Sequence, residues 1–259
     1  KDVPDPVQEK GRAVYIADLL TGDLVWKFTS ANNSSMKNCI PGDVNRVDMN
    51  GDGLVDRLYV GDTGGRIWRF DIGDVASIGS WTGKVVFESP PGLKIFYPPD
   101  VVFERDSGGN YEMLFFGTGD REHPKGTSKV NRLYAIKDRN SSTSIKETTL
   151  TEMTDCLLQD PNATQEQKQA RLNALSSSSG WFIQLSTDPG EKVLAEALSL
   201  GGAVYYSTFS PTIIGTEDPC LIGEGTGRIY AVKYKTGNAV FNLDYTNDVG
   251  GQPVIKKED

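Results

Sequence analysis

The chain has 259 residues, a formal net charge of −8 and a hydrophobic fraction of 37%, enough to bury a large core in one all-β domain or two smaller ones. The negative balance argues against nucleic acid or an anionic membrane as partner, and no run of eighteen apolar residues offers a membrane span. Lys1 opens the chain without a charged-then-apolar leader, as expected of a processed or trimmed piece.

In chain order, the first predicted elements are the strands "AVYIAD" and "LVWKF", joined by a turn at Thr21 and Gly22 that tolerates positive φ. Next comes "DMNGDGLVD", Asp48 to Asp56, which places side-chain oxygens of Asp48, Asn50, Asp52 and Asp56 at positions 1, 3, 5 and 9 of a tight loop. Gly53 stands at position 6 and the Leu54 carbonyl at position 7, as in the first half of an EF-hand loop. Tyr59 stands at position 12, where an EF-hand carries a bidentate Glu, so Asp56 takes that part in a shortened loop. Three crowded carboxylates repel by about 1 kcal/mol or more per pair unless a cation intervenes. An all-oxygen, glycine-turned loop without His or Cys suits Ca²⁺ better than Mg²⁺. Asp43 and Asp62 flank the loop and read as solvated turn residues.

The loop runs into the strand pair "DRLYVGD" and "RIWRFDI", followed by "KVVFES", "DVVFER" and "YEMLFFGTG". His123 is the single histidine and sits in the polar turn "GDREHPKGTS", where Asp120 and Glu122 read as exposed loop carboxylates. "RLYAIKD" is the next strand, and residues 155–178 read as an insertion in which "ATQEQKQARLNAL", Ala163 to Leu175, forms one short surface helix. "GWFIQL", "KVLAEALSL", "AVYYSTF", "RIYAVKY" and "AVFNL" restore the β rhythm up to about residue 250, and residues 251–259 read as a fraying tail.

Two segments repeat. "GDTGGRIW" from Gly61 aligns with "GEGTGRIY" from Gly223, and "IADLLTGDLVWKF" from Ile16 aligns with "AVKYKTGNAVFNL" from Ala231. Repeated strand, Thr-Gly turn, strand units, with Trp26 and Phe241 placed to fill the space between neighbouring sheets, predict a β-propeller of four-stranded blades. About thirteen strands make roughly three blades, fewer than a closed propeller needs, so the fold class expected is all-β, a partial propeller completed by another segment. Trp68 and Trp181 are expected in the core, while the place of Trp81 is open. Cys39, Cys156 and Cys220 form no CxxC or Cys/His cluster; Cys156 and Cys220 lie in loop-like stretches and could form a disulfide in an oxidising compartment, leaving Cys39 outside it.

The order of the calcium loop running into "DRLYVGDTGGRIWRFDI", then "EMLFFGTGD", "GWFIQL", "AVYYSTFSPT" and "CLIGEGTGRIYAVKYKTG" resembles the C-terminal half of the PilC/PilY family of type IV pilus tip and assembly proteins. The resemblance covers nearly the whole chain. It implies a modified β-propeller with calcium on Asp48, Asn50, Asp52, the Leu54 carbonyl and Asp56, and a place at the pilus tip on the cell surface, or in the outer membrane and periplasm during assembly. It also implies promotion of pilus extension, adhesion to a host or abiotic surface, and twitching motility, with minor pilins and the N-terminal segment of the same precursor as partners. An Arg-Gly-Asp motif reported in some members has no match here.

Two other readings compete. "DLLTGDLVW", Asp18 to Trp26, looks like the tryptophan-docking repeat of quinoprotein dehydrogenase propellers, but adjacent cysteines or a convergent polar set for a quinone are not apparent. No G-x-S-x-G elbow, Walker A loop or dinucleotide fingerprint occurs, so the chain reads as non-enzymatic. A plain calcium-stabilised scaffold shares every feature of the pilus reading.

Overall fold

The computed structural model describes residues 10–211 and 225–240. These form an all-β fold of sixteen strands in four sheets with a single α-helix. The first sheet is the hairpin β1 (Ala13–Ala17) and β2 (Leu24–Thr29). The second is an antiparallel meander of β3 (Asn45–Val47), β4 (Arg57–Gly61), β5 (Arg66–Asp71) and β6 (Thr82–Glu88). The third repeats that plan with β7 (Asp100–Asp106), β8 (Gly109–Gly117), β9 (Arg132–Asp138) and, after a long excursion, β12 (Gly180–Gln184).

That excursion supplies a parallel fifth strand to each meander: β10 (Ile145–Lys146) lies on the edge of β6 and β11 (Thr151–Glu152) on the edge of β12. It thereby covers two sheet edges that would otherwise offer unpaired amides. It also holds α1 (Gln165–Ser177), where Thr164 and Gln167 form a reciprocal capping box and Leu175 is the buried residue. Lys137 donates to the carbonyls of Leu175 (3.1 Å) and Ser178 (3.2 Å), placing a cation at the helix C-terminus. The fourth sheet joins β13 (Lys192–Val193), β14 (Leu198–Leu200), β15 (Ala203–Pro211) and β16 (Gly225–Lys233). The expected strand "KVLAEALSL" is thus divided into β13 and β14.

The four sheets face one another in chain order, because successive side chains of a strand point to opposite faces. In β4, Leu58 and Val60 enter the core against the first sheet, with Trp68, Phe70 and Phe28, while Tyr59 enters the core against the third. In β8, Met113 and Phe115 face the fourth sheet and Leu114 and Phe116 face the second. The two middle sheets are therefore buried on both faces, which is why their strands read as continuous apolar runs. The approach is close enough that a Cβ on Gly117 would fall 2.2 Å from Val193 Cγ2. Trp68 and Trp181 are fully buried, and Trp26 packs edge-on against Phe70 (6.0 Å) and the half-buried Trp81 (5.8 Å). Phe241 and Cys220 lie outside the described residues, as do the beginning of the second Gly-rich repeat and the tail.

Candidate metal loop and the polar seam beside it

The loop from Asp48 to Asp56 closes the hairpin between β3 and β4, and its ends are tied by Asp56 N donating to the Val47 carbonyl at 2.9 Å. Gly51 and Gly53 take φ of +78° and +85°, conformations that side-chain-bearing residues rarely adopt. Asp48 accepts the amides of Gly51 (2.7 Å) and Asn50 (3.2 Å) on Oδ1 and that of Gly53 (2.8 Å) on Oδ2. Those amides, Gly53 foremost, hold its carboxyl below the usual range. Asn50 Oδ1 accepts Asp52 N and Asp52 Oδ1 accepts Leu54 N, both at 2.8 Å, while Asp56 Oδ2 accepts Met49 N at 2.7 Å.

All five sequence-predicted ligand positions thus lie in one hairpin loop, with the Leu54 side chain 65% exposed. A carboxylate has about four lone-pair sites, so one to three amide bonds leave acceptor capacity at each. The donor set is oxygen only, and the residues present fit a hard cation. Asp48, Asp52 and Asp56 do not, however, bring their ligand atoms within 4.8 Å of one another; among the described residues the group that does is Asp120, Glu122 and His123. There the Lys94 ammonium already stands 3.1 Å from Asp120 and 2.8 Å from Glu122, and the histidine ring is exposed as expected of a loop residue.

Behind the metal loop lies a buried ionic seam between the second and third sheets. Arg57, the residue after Asp56, reaches Asp71 at 3.0 Å and Glu112 at 2.6 Å. Arg69 reaches Asp71 at 3.0 Å and Asp138 at 2.8 Å, and the Tyr59 hydroxyl donates to Asp138 at 2.9 Å. Burial pushes the Glu112 carboxyl above its ordinary value even though Arg57 opposes the shift. Strand periodicity carried the signal for this seam. Arg57, Tyr59, Arg69 and Asp71 alternate onto the same face as core residues, and charge at such positions demands partners.

Asp62 corrects the expectation of a solvated turn. It is fully buried, accepting Gly64 N (2.8 Å) and Arg66 N (3.1 Å) on Oδ1 and Trp68 Nε1 (2.9 Å) on Oδ2. The carboxylate organises the Gly-rich turn between β4 and β5 and locks the core tryptophan, and burial raises its pKa. Cys156 is buried at a φ of +50° in the excursion.

No family model matches the chain. A type IV pilus biogenesis factor PilY1 homolog of Xylella fastidiosa (strain Temecula1 / ATCC 700964) is 26% identical over 256 residues, covering 88% of this chain and 17% of that protein. The type IV pilus biogenesis factor PilY1 of Pseudomonas aeruginosa (strain UCBPP-PA14) is 25% identical over 294 residues, covering 89% of this chain and 25% of the relative. The chain therefore spans a quarter or less of the length of these curated relatives. The crystal structure of the Pseudomonas aeruginosa PilY1 C-terminal domain superposes with a TM-score of 0.65 at 18% identity, covering 93% of this chain and 60% of that one. Along nearly its whole length the chain is thus similar to type IV pilus biogenesis factors of the PilY1 type, and it has the fold of the PilY1 C-terminal domain.

Proposed function

We propose that this chain is the calcium-binding part of a type IV pilus biogenesis factor, acting through protein contacts and not by catalysis. The observation that carries the reading is the gathering of Asp48, Asn50, Asp52, the Leu54 carbonyl and Asp56 into the β3–β4 hairpin of a fold that its pilus-factor relatives share. Ca²⁺ would draw together carboxylates that otherwise repel and turn to backbone amides, and it would stiffen the entry into β4. The face-to-face sheets support a partial, modified β-propeller completed by the N-terminal segment of the same precursor. On this reading the protein stands at the pilus tip, on the cell surface or in the periplasm during assembly. It contacts minor pilins there, and ion occupancy tunes pilus extension, adhesion and twitching motility. A Cys156–Cys220 bridge belongs to the same oxidising setting, and faster migration of unreduced than of reduced protein would support it.

The test is calorimetric titration of metal-stripped protein with CaCl₂, alongside Asp52→Ala. The expected result is saturable heat in the wild type and its loss in the variant; absence of heat in the wild type overturns the calcium reading. Asp56→Ala then separates a switch from a scaffold. A variant that folds while pilus number changes supports the switch, and one that fails to fold supports a purely structural ion.

A further inference from the structure

Exposed apolar side chains collect at one end of the first two sheets. Phe28 contacts Trp68 (6.3 Å) and Phe70 (5.3 Å), whereas Trp26 contacts Phe70 and Trp81, so β2 runs antiparallel to β5 and its start lies beside β5's end. The β1–β2 turn, the metal loop and the segment after β5 therefore emerge at the same end, since Arg57 pairs with Asp71 there. Leu19 (97%), Leu20 (93%), Leu54 and Val75 are exposed on these three connections, and Leu24 is exposed at the start of β2 beside them.

The same connections carry Asp18, Asp23, Asp48, Asp52, Asp56 and Asp74, and they contain neither Lys nor Arg. Arg57 and Arg69 of the second sheet are turned into the buried seam, and the exposed cations of the adjoining strands are Lys27 on β2 and Arg46 on β3. The leucine tip is stiff: Asp18 Oδ1 accepts Leu20 N (2.9 Å) and Thr21 N (2.8 Å), and Asp18 N donates to the Asp23 carbonyl at 2.8 Å. A turn held this way presents two leucines without losing much conformational freedom on binding.

We infer that this end is a docking surface for a protein partner that offers apolar sockets framed by Lys and Arg. Apolar knobs alone would suit many surfaces, but connections that carry aspartate and neither Lys nor Arg, with Asp18, Asp23 and Asp74 lying outside the metal loop, disfavour anionic lipid and a second acidic copy of this chain, and they favour a basic rim. The inference rests on the pilus reading only for the compartment in which the partner is met, since Leu19, Leu20 and Val75 protrude whether or not the metal loop is filled.

The experiment places a photo-crosslinking p-benzoylphenylalanine at Leu20 or Val75 of the full-length protein in piliated cells, with Leu172 on α1 as an exposed control. The result expected is one and the same protein joined to positions 20 and 75 but not to 172, through a peptide rich in apolar and basic residues. The Asp18→Lys, Asp23→Lys double variant is expected to lower adduct yield about tenfold. Adducts to lipid, to another copy or another part of this chain, to an acidic segment, or equally at position 172 would overturn the inference, as would undiminished yield after charge reversal. Leu19→Ser with Leu20→Ser should leave the melting temperature and the CaCl₂ titration unchanged while abolishing the partner contact. Failure here is thereby distinct from failure of the calcium reading.

Discussion

The guanidinium of Arg57 lies 2.6 Å from the carboxylate of Glu112, a contact that joins two sheets and begins one residue beyond the Asp48–Asp56 loop. Both side chains are largely buried, and the pair is 55 residues apart in sequence. Arg57→Ala leaves Glu112 buried with its main partner gone and is expected to cost about 3–5 kcal/mol. Glu112→Gln keeps the shape and a neutral acceptor, and should cost about 1–3 kcal/mol. Urea denaturation of both variants checks the order; equal losses would contradict it.

Because Asp56 leads directly into Arg57, ion binding and seam packing should be reciprocally linked. Glu112→Gln, although not a ligand position, is expected to weaken Ca²⁺ binding several-fold, and CaCl₂ should slow amide exchange in β8. Unchanged affinity in that variant, with normal wild-type binding, would show that the loop and the seam are independent.

Chelation should lower the thermal midpoint of the wild type. A ligand at 100 times its dissociation constant stabilises the folded state by about 2.7 kcal/mol, so the midpoint should rise with CaCl₂ concentration. In Asp52→Ala the same titration by scanning calorimetry should be flat.

Asp62 offers a test of burial and a test of pH. Asp62→Ala strands the indole N–H of Trp68 and the turn amides, and should cost about 3 kcal/mol with a change in tryptophan emission. Because burial raises the folded pKa above the ordinary 3.8, the folded state binds more protons than the unfolded state within that window. The stability advantage of wild type over Asp62→Asn should therefore be largest below 3.8, decline as pH rises through the raised folded value, and be flat above it.

Thr164→Ala removes the acceptor for Gln167 N and should weaken α1 by about 1 kcal/mol. Since α1 is a surface element with one buried residue, exchange of its amides should quicken while the global midpoint barely moves.

Local chemistry carried what was legible in the sequence. Short β-branched and aromatic segments between turn residues announced the strands, the glycines and Asx side chains of "DMNGDGLVD" announced the loop, and the polar segment Ala163 to Leu175 announced the helix, whose start the structure places at a Thr164–Gln167 capping box; each needs only neighbours a few residues away. The tertiary structure alone decided that Asp62 is buried, that Arg69 meets Asp138 across 69 residues, and that the excursion after β9 returns to pair with β6. Charged residues in a strand state that partners are required, but not which. Sheet-on-sheet packing selects the partner, since a buried charge is tolerated only where another strand delivers its counterpart within hydrogen-bond reach.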